Sequence, residues 1–520
     1  MSIISFSFIG FLFFFFIIYF ISPKKIQWIV LLAGNLFFYS CAGSHYLIYL
    51  AGFSFITWYF TLKIERNNKE LKEILVRTEQ KEEKIKLQNR YKGKNKILLC
   101  ISIILTMGSW AVLKYGPFAA KNISILFRIP SFLNTMNFIV PLGMSFYTFD
   151  AAGYLIDISH GKYTADNNYF HYLTFISYFP HIIQGPFDRY NTLGKTLFEK
   201  HSFSFERFSQ GFGRILWGYL KKLIIADKLA IPVTEIFTNY ESYSGIQIFV
   251  VMILYGIQLY ADFSGYIDIV SGVSHILGIE MAQNFKQPYF SVSIEEFWRR
   301  WHISLGQWFR DYVFFPIFRS ERAASIRKKY SPKISRHIIS FIAMFWVWTG
   351  SGLWHGANWT FLLWGWLNMA IMFFSQITEP IYTTLRNIFH ISLKNKIWKL
   401  FRVVRTFFIV CFLFFITRAD SVTDAIRILQ QISRDPNPGK TIGLFDFFPC
   451  LAPQFVVIVL TAFLSMACID FLSEIGKWNS IKEHTPFVIR DFIYVILIIS
   501  LILFAGNGEN IAKNFIYANF

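Results

Sequence analysis

The chain has 520 residues, of which 54% are apolar, 20% aromatic and only 16% charged. Its formal net charge is nevertheless +19, from 51 Lys and Arg against 32 Asp and Glu. Ordinary soluble domains contain about 25% charged residues, so this composition argues against a soluble nucleic-acid-binding protein, and a chain this apolar does not stay solvated as a disordered one. We therefore predict an all-α, polytopic membrane protein without a nucleic-acid partner, whose basic residues are concentrated in a few loops.

Apolar stretches of bilayer-spanning length recur along the chain, and we expect about 11 membrane spans. The first, residues 4–21, is uncharged and lacks the basic flank of a signal peptide, which favours a retained span. Residues 170–187 are apolar but contain Pro180, Gly185 and Pro186, which predicts a re-entrant or discontinuous segment. The other predicted spans lie near residues 26–42, 45–62, 97–113, 137–156, 212–233, 245–275, 338–354, 356–376, 403–417, 452–469 and 487–505.

The positive charge is concentrated in three segments. Residues 63–96 carry 12 Lys and Arg against 6 Glu, residues 319–336 carry 7 against one Glu, and residues 379–405 carry 6 against one Glu. Together they supply +17 of the net +19. The positive-inside rule places all three in the cytoplasm, and counting spans back from them places the N-terminus outside. The Glu/Lys pattern of the first segment predicts a solvated helical loop.

Residues 291–316 have the pattern of an amphipathic helix. The apolar stripe, at three- and four-residue steps, consists of Ile294, Phe297, Trp298, Trp301, Leu305, Trp308 and Tyr312. Such a helix is suited to the membrane interface, and it leads directly into the basic segment 319–336. We therefore expect it on the cytoplasmic side. His302 and Arg299 fall on its polar stripe, where the ordinary interpretation of a histidine is a solvated side chain.

His355 is the ionisable side chain that composition explains least. It lies in TGSGLWHGANWTFLLWGW (349–366), between two uncharged runs, where an ionisable group is a functional hypothesis by default. A low dielectric favours the neutral imidazole that a general base requires. Trp354 and Trp359 provide apolar walls, and Asn358 can donate a hydrogen bond. The alternative is a hydrogen-bonded structural histidine at a helix hairpin.

Asp262 is a carboxylate at the end of an apolar run. It lies in QLYADFSGYIDIV (258–270), six residues before Asp268. It lines an internal polar cavity or is an interfacial carboxylate, and the pattern leaves both open. The chain contains no GxSxG elbow, Walker loop, Rossmann fingerprint or HExxH motif, so serine-nucleophile hydrolysis, nucleotide hydrolysis and a metal site have no sequence support.

Five stretches, in order, resemble the membrane-bound O-acyltransferase (MBOAT) family. They are PLGMSFYTFDAAGYLIDISHG (141–161), YFPHIIQGPFDRY (178–190), LYADFSGYIDI (259–269), NFKQPYFSVSIEEFWRRWHISLGQWFRDYVFFP (284–316) and SGLWHGANWTFLLWGWLN (351–368). The resemblance favours the bacterial branch that serves alginate and peptidoglycan O-acetylation, with the teichoic acid D-alanylation proteins as near relatives. TRADSVTDAIRILQQI (417–432) and the ending NFIYANF (514–520) favour the first branch.

The resemblance implies an MBOAT-type ring of helices around a central tunnel, in a single membrane domain over residues 1–520. Residues 137–376 would form its catalytic core and residues 418–520 a C-terminal extension. It further implies that His355 is the catalytic histidine and that His302 is the second characteristic polar position. The candidate substrate or tunnel residues are Asn358, Trp354, Asp262, Gln184, Trp301 and Arg299.

The activity that the resemblance implies is acyl transfer across the membrane, with no bound cofactor. The donor would be a cytoplasmic acyl thioester, acetyl-CoA first among them, attracted by the basic residues of 319–336. His355 would act as general base on the acceptor hydroxyl, and Asn358 would be an oxyanion or orienting donor. The acceptor would be a polysaccharide, reached through a separate extracytoplasmic SGNH-like acetyltransferase or a small carrier.

Two alternatives remain open from the sequence. One is D-alanyl transfer to teichoic acid, with a carrier protein as donor. The other, from a different class, is a transporter or flippase in which His355 and Asp262 relay protons. No inverted repeats are detectable in the sequence, which argues against the transporter.

Overall fold

The computed structural model describes residues 1–128, 140–434 and 443–505. Throughout these ranges the regular elements are helices, and one isolated backbone bridge joins Phe285 to Trp301. The predicted all-α class is confirmed. The ending at 514–520 and the first three residues of the predicted span 137–156 lie outside the described residues.

The helices follow one another with short connections. The α-helices of the first half are α1 (Phe6–Ile21), α2 (Gln27–Ser40), α3 (Ser44–Arg77), α4 (Lys81–Phe127), α5 (Met144–Ser159), α6 (Tyr169–Ile176), α7 (Phe179–Ile182), α8 (Tyr190–Phe198), α9 (Phe205–Tyr219), α10 (Asp227–Thr238) and α11 (Gly245–Leu277). Those of the second half are α12 (Ile294–Arg300), α13 (Ile303–Phe309), α14 (Phe315–Phe318), α15 (Glu321–Lys329), α16 (Pro332–His355), α17 (Trp359–Ile388), α18 (Lys396–Arg418), α19 (Val422–Arg434), α20 (Pro453–Glu474), α21 (Trp478–His484) and α22 (Phe487–Phe504). The remaining elements of the described ranges are two π-helical segments, Leu220–Ala226 and Arg310–Phe314, and the 3-10 turns Tyr240–Ser242, Pro288–Phe290 and Leu444–Phe447.

Eight helices in the described ranges are long and apolar enough to cross a bilayer, namely α3, α4, α11, α16, α17, α18, α20 and α22. The helices α1 and α2 are apolar but shorter. The predicted span 212–233 forms α9, a π-helical segment and the first part of α10, and it is not among the eight. Lys221 and Lys222 interrupt its apolar run. The chain is thus a multi-pass membrane protein.

The structure divides into two compact units. The first contains residues 1–211 and 270–282, and the second contains residues 212–269 and the described part of 283–520. The aromatic rings of the first unit pack around Phe179 at the start of α7, whose centroid lies 5.4–6.4 Å from those of its neighbours. These neighbours are Phe8, Phe11, Phe15 and Phe38. The prediction of a single membrane domain stays a prediction.

The predicted discontinuous segment 170–187 consists of the short helices α6 and α7, separated at Ser177 and Tyr178. A broken backbone inside an apolar environment must find other hydrogen-bond partners. Asn35, a fully buried residue of α2, supplies them. Its Oδ1 accepts a hydrogen bond from the backbone N–H of Phe179 at 3.1 Å, and its Nδ2 donates to the carbonyl of Thr174 at 3.2 Å.

The basic loop 63–96 is helical, as predicted, but it is formed by two long helices rather than a separate one. The chain turns at residues 78–80 between α3 and α4. The amides of Asn67 and Asn68 are hydrogen-bonded to that of Asn95, each at 2.8 Å. These contacts tie the two polar helix ends together.

The prediction of one amphipathic helix over 291–316 is wrong. Helix α12 ends at Arg300, Trp301 is extended, and His302 has a left-handed backbone with φ +47° before α13 begins. Long-range pairing explains the break, because the carbonyl of Arg300 accepts from the N–H of Lys286 at 3.0 Å. The Trp301 ring is buried inside the protein rather than lying in the membrane interface.

Helices α16 and α17 form a close hairpin in the second unit. A Cβ added at Gly365 would lie 2.4 Å from the carbonyl oxygen of Trp348, and one added at Gly352 would lie 2.6 Å from that of Phe361. Only glycine allows the two backbones to approach this closely. The glycines of SGLWHG and LWGW therefore determine how the end of α16 meets the start of α17.

Candidate active site

His355 is the last residue of α16, and the predicted helix break follows it directly. Asn358 caps the next helix, because its Oδ1 accepts a hydrogen bond from the N–H of Thr360 at 3.2 Å. Its Nδ2 donates to the carbonyl of Asp420 at 3.0 Å. Both polar ends of the Asn358 amide are therefore engaged in holding the hairpin beside His355.

The His355 imidazole lies in an aromatic environment, with 6% of the residue exposed. Its ring stands edge-on to Trp354 and Trp364, at centroid distances of 4.9 and 5.1 Å. The Phe361 ring stacks beside it at 6.4 Å. Such an environment disfavours a charged imidazolium and favours the neutral form that can accept a proton.

His302 is also buried, with 3% of the residue exposed, and it contacts the same tryptophan. Its ring is edge-on to Phe263 at 4.8 Å and to Trp354 at 5.8 Å. It lies outside the eight candidate spans. Burial, and secondarily charge on His355, hold the pKa of His302 well below its ordinary value. The structure therefore brings the two predicted histidines to one wall, Trp354.

The backbone around His302 is held by Asn284, which precedes the Phe285–Trp301 bridge. The carbonyl of Asn284 accepts from the N–H of Ile303 at 3.0 Å. Its side-chain Oδ1 accepts from the N–H and the hydroxyl of Ser304, at 3.1 and 2.6 Å. The first turn of α13 thus depends on a residue that sequence reasoning did not select, although it opens the fourth of the family-like stretches.

Three tryptophans, among them the Trp364 that contacts His355, pack against one another. Trp298, Trp348 and Trp364 have centroids 5.2–5.7 Å apart in mutual edge-to-face contacts. The indole N–H of Trp298 donates to Asn368 Oδ1 at 2.9 Å, and Asn368 Nδ2 donates to the carbonyl of Trp364 at 2.8 Å. These rings form an apolar surrounding in which the Trp298 N–H is hydrogen-bonded, whereas the buried Trp364 N–H has no partner among the described residues.

Asp262 is buried and forms an ion pair with Lys222, at 2.6 Å. Lys222 also pairs with Asp227 at 2.9 Å. One residue along, Lys221 pairs with Asp268 at 2.5 Å. Sequence reasoning missed both lysines, although two adjacent charges inside the predicted span 212–233 were a visible signal. The structure favours a structural role for Asp262, which holds the helix that carries the neighbouring Phe263.

The remaining predicted residues are placed differently. Trp301 is buried directly before His302. The Arg299 side chain is 63% exposed and pairs with the equally exposed Glu295, so the structure does not bring it to the histidines. Gln184 belongs to the first unit, fully buried, and neither end of its amide has a hydrogen-bond partner among the residues that are described.

The chemistry that this arrangement permits is proton transfer by a neutral imidazole in a low-dielectric site. Over the described ranges no group of three His, Cys, Asp or Glu side chains is placed to hold a metal ion. His355 ends α16 and has aromatic rings on several sides. His302 lies close enough for its protonation to be coupled to that of His355.

Comparisons with known proteins show to which family the chain is similar. A sequence model of the membrane-bound O-acyltransferase family matches residues 162–417. The probable alginate O-acetylase AlgI of Azotobacter vinelandii is 29% identical over 74% of this chain and 71% of its own length. The peptidoglycan O-acetyltransferase of Helicobacter pylori is 25% identical over 78% of this chain and 72% of its own length. The teichoic acid D-alanyltransferase of Bacillus subtilis is 30% identical over 54% of this chain and 69% of its own length.

Proposed function

Because the chain belongs to the membrane-bound O-acyltransferase family, we propose that it transfers an acetyl group from a cytoplasmic thioester toward a polysaccharide outside the membrane. The family match includes both His302 and His355. Relatives named as an alginate O-acetylase and a peptidoglycan O-acetyltransferase support acetyl as the group and a polysaccharide as the acceptor. The observation that carries the proposal is the pair of buried imidazoles, both in ring contact with Trp354.

The reaction proposed for this site is general-base acyl transfer. Neutral His355 removes the proton of the acceptor hydroxyl, whose oxygen attacks the thioester carbonyl. The C–O bond forms, the C–S bond breaks, and the imidazolium returns its proton to the leaving thiolate. His302, whose low pKa keeps it neutral, donates a hydrogen bond to the developing oxyanion or orients a substrate. Asn358 contributes through the cap that holds the hairpin beside His355.

The proposed orientation places the three basic segments 63–96, 319–336 and 379–405 in the cytoplasm and the N-terminus outside. The segment 319–336 includes α15, whose last turn carries Arg327, Lys328 and Lys329. These charges attract an anionic donor such as acetyl-CoA, an effect that salt weakens. Along the chain α15 directly precedes α16, and this helix of 24 residues, about 36 Å long, leads from the basic turn to His355 at its far end.

The proposed partner is a separate extracytoplasmic acetyltransferase of the SGNH type, or a small carrier, that passes the acetyl group to the polysaccharide. One second function has a specific observation in its favour. The match to a teichoic acid D-alanyltransferase covers 69% of that protein at 30% identity. In that case the group is D-alanyl and the donor is a carrier protein, while the role of His355 is unchanged.

The experiment that tests the proposal measures thioester cleavage and acetyl transfer by purified protein in detergent, with labelled acetyl-CoA and a hydroxyl acceptor. The variant is His355→Ala, and the matched control is His337→Ala on the same helix, which ends at His355. General-base catalysis is typically worth about 10²–10⁴-fold, so His355→Ala loses that factor and His337→Ala does not. Equal rates for His355→Ala and the wild type would overturn the proposal.

The same assay separates the rival functions. A D-alanylating enzyme cleaves D-alanyl carrier protein and leaves acetyl-CoA intact. A transporter cleaves neither thioester, and this result would reject acyl transfer altogether.

A further inference from the structure

Helix α20 of the C-terminal extension carries two carboxylates. Glu474 contacts the segment before His302 directly, and Asp470 reaches it through Tyr260. Glu474 and Asp470 are four residues apart and therefore lie on one face of the helix. Glu474 forms a bidentate ion pair with Arg300, at 2.5 Å from Nη1 and 3.4 Å from Nη2. The planar guanidinium fixes orientation as well as distance in such a pair.

Arg300 is held from a second direction by its own helix. Its Nη2 donates to Glu296 Oε1 at 2.6 Å, four residues earlier on α12. The side chains of Arg300, Glu296 and Glu474 are only 15–21% exposed. The Arg299–Glu295 pair, one residue earlier along the same helix, is 63% and 57% exposed. The Arg299–Glu295 and Arg300–Glu296 pairs have the same spacing but differ in exposure. Only the less exposed pair, Arg300–Glu296, also contacts the C-terminal extension, through Glu474.

Asp470 makes the second contact, through an aromatic ring. Its Oδ2 accepts a hydrogen bond from the Tyr260 hydroxyl at 2.8 Å. The Tyr260 ring packs on Trp301 at 5.9 Å and on Phe285 at 5.7 Å. Since Phe285 and Trp301 form the backbone bridge, α20 supports the residue immediately before His302.

These contacts bear on His302 because its backbone is left-handed, with φ +47°. A non-glycine residue persists in that conformation only where the surrounding structure over-determines it. Arg300 and Trp301, the two residues before His302, are the ones that α20 holds. Glu474 and Asp470 themselves contact neither histidine through any hydrogen bond in the described structure.

We propose that Glu474 and Asp470 are positioning residues, through which α20 holds Arg300 and Trp301 so that His302 meets Trp354 and the catalytic site. Both lie beyond residues 162–417, the part that the family model matches. The inference rests on the proposed acyl transfer and adds to it. The C-terminal extension is thereby assigned a part in arranging the active site, not only in spanning the membrane.

The kinetic test compares Glu474→Gln with Glu295→Gln, which removes the carboxylate of the exposed pair. A misplacement of about 1 Å at an active site costs on the order of 10²-fold. We expect Glu474→Gln to lower kcat, measured per folded protein, about 10- to 100-fold, with KM for the donor within twofold. Glu295→Gln keeps the wild-type kcat. Asp470→Asn and Arg300→Lys show the same loss of kcat, and Glu474→Asp recovers part of it.

A second measurement does not depend on activity. Diethylpyrocarbonate modifies accessible histidines, and mass spectrometry gives the rate for each one. In Glu474→Gln and Asp470→Asn, His302 is modified at least threefold faster than in the wild type, while His337 reacts at an unchanged rate. If one of the two variants fails to accumulate, the rate of His302 modification in the other variant still tests the proposal.

The outcomes separate the two proposals. Wild-type protein that cleaves no thioester rejects the proposed function, whatever the rates of modification. Active wild-type protein with unchanged kcat in Glu474→Gln and Asp470→Asn rejects the positioning role. An unchanged rate of His302 modification in both variants rejects it as well, as does a loss of activity that only follows the loss of folded protein.

Discussion

The His302 imidazole stands edge-on to the Trp354 indole, with centroids 5.8 Å apart and planes inclined at 66°. Trp354 in turn precedes His355, whose ring lies 4.9 Å from it. One indole therefore contacts two histidines that are 53 positions apart in the chain.

Replacing Trp354 tests the shared wall. Trp354 is almost fully buried, and Trp→Ala in a packed core costs about 3–5 kcal/mol, so Trp354→Ala lowers the unfolding midpoint and strongly reduces acetyl transfer. Trp354→Phe preserves an aromatic wall and retains most of the stability. Trp346→Ala, on the same helix but 55% exposed, is the control. Full activity of Trp354→Ala would show that the wall is dispensable.

The low pKa of His302 predicts a loss of stability in acid. The unfolded histidine binds a proton near pH 6.5, whereas folded His302 stays neutral to lower pH. The unfolded state therefore binds more protons below pH 6.5, and the free energy of unfolding falls there by up to about 1.4 kcal/mol per pH unit. Thermal unfolding at pH 8 and pH 5.5 measures the effect. In His302→Gln we expect a smaller difference between the midpoints at pH 8 and pH 5.5. A difference as large as that of the wild type would contradict a low pKa of folded His302.

The buried pair of Lys222 and Asp262 predicts strong non-additivity. Removing one partner of a buried pair costs about 3–5 kcal/mol, so Lys222→Met, which leaves both Asp262 and Asp227 without their lysine, is severely destabilising. The double variant Lys222→Met/Asp262→Leu recovers part of the loss. Arg427→Ala, which removes an exposed pair with Asp424, changes the free energy of unfolding by less than about 1 kcal/mol. If the destabilisation of the double variant equals the sum of those caused by Lys222→Met and Asp262→Leu alone, Lys222 and Asp262 are not coupled.

The hairpin of α16 and α17 predicts opposite outcomes for the same substitution at two glycines. In Gly365→Ala the new Cβ meets the Trp348 carbonyl, and overpacking of this kind costs about 1–3 kcal/mol. In Gly93→Ala nothing lies within 4 Å of the new Cβ, so the higher helix propensity of alanine leaves stability unchanged or raised. Unfolding midpoints in detergent give the comparison, and a neutral Gly365→Ala would disprove the tight packing.

The proposed orientation predicts which side of the membrane each loop occupies. In a variant without the native cysteines, Ser325→Cys and Lys394→Cys, in the basic segments 319–336 and 379–405, react with a membrane-impermeant maleimide only after cells are permeabilised. Ser2→Cys is expected to react in intact cells, because the proposed orientation places the N-terminus outside. The reverse labelling pattern would show that the chain has the opposite orientation in the membrane.

Several features of the site could be predicted because they are local. The predicted spans 338–354 and 356–376 placed His355 between two helices, and α16 does end at that residue. The interrupted segment 170–187 indicated a broken helix, because proline removes a backbone donor at a definite position. In both cases the relevant residues are neighbours in the chain, and their effect on the backbone does not require a distant partner.

The burial of His302 could not be predicted in this way. The periodicity of 291–316 is that of one amphipathic helix, and the helical register alone places His302 among charged side chains. The break arises because residues 284–286 take over backbone hydrogen bonds of residues 300–303. Support for Arg300 comes from Glu474, 174 positions away. Periodicity contains no information about such partners.

The sequence by itself determined the class of the protein: few charges and long apolar runs produce membrane helices, because a bilayer leaves the backbone no other partners. It also indicated His355 as a candidate functional residue, since an ionisable group in an apolar run is costly to bury and is usually kept for function. Only the tertiary structure decided that His302 is buried against Trp354, that Asp262 is neutralised by Lys222, and that Arg299 faces away. Those outcomes depend on ion pairs and ring contacts between residues far apart in the chain, whose free energy exists only once the helices have packed.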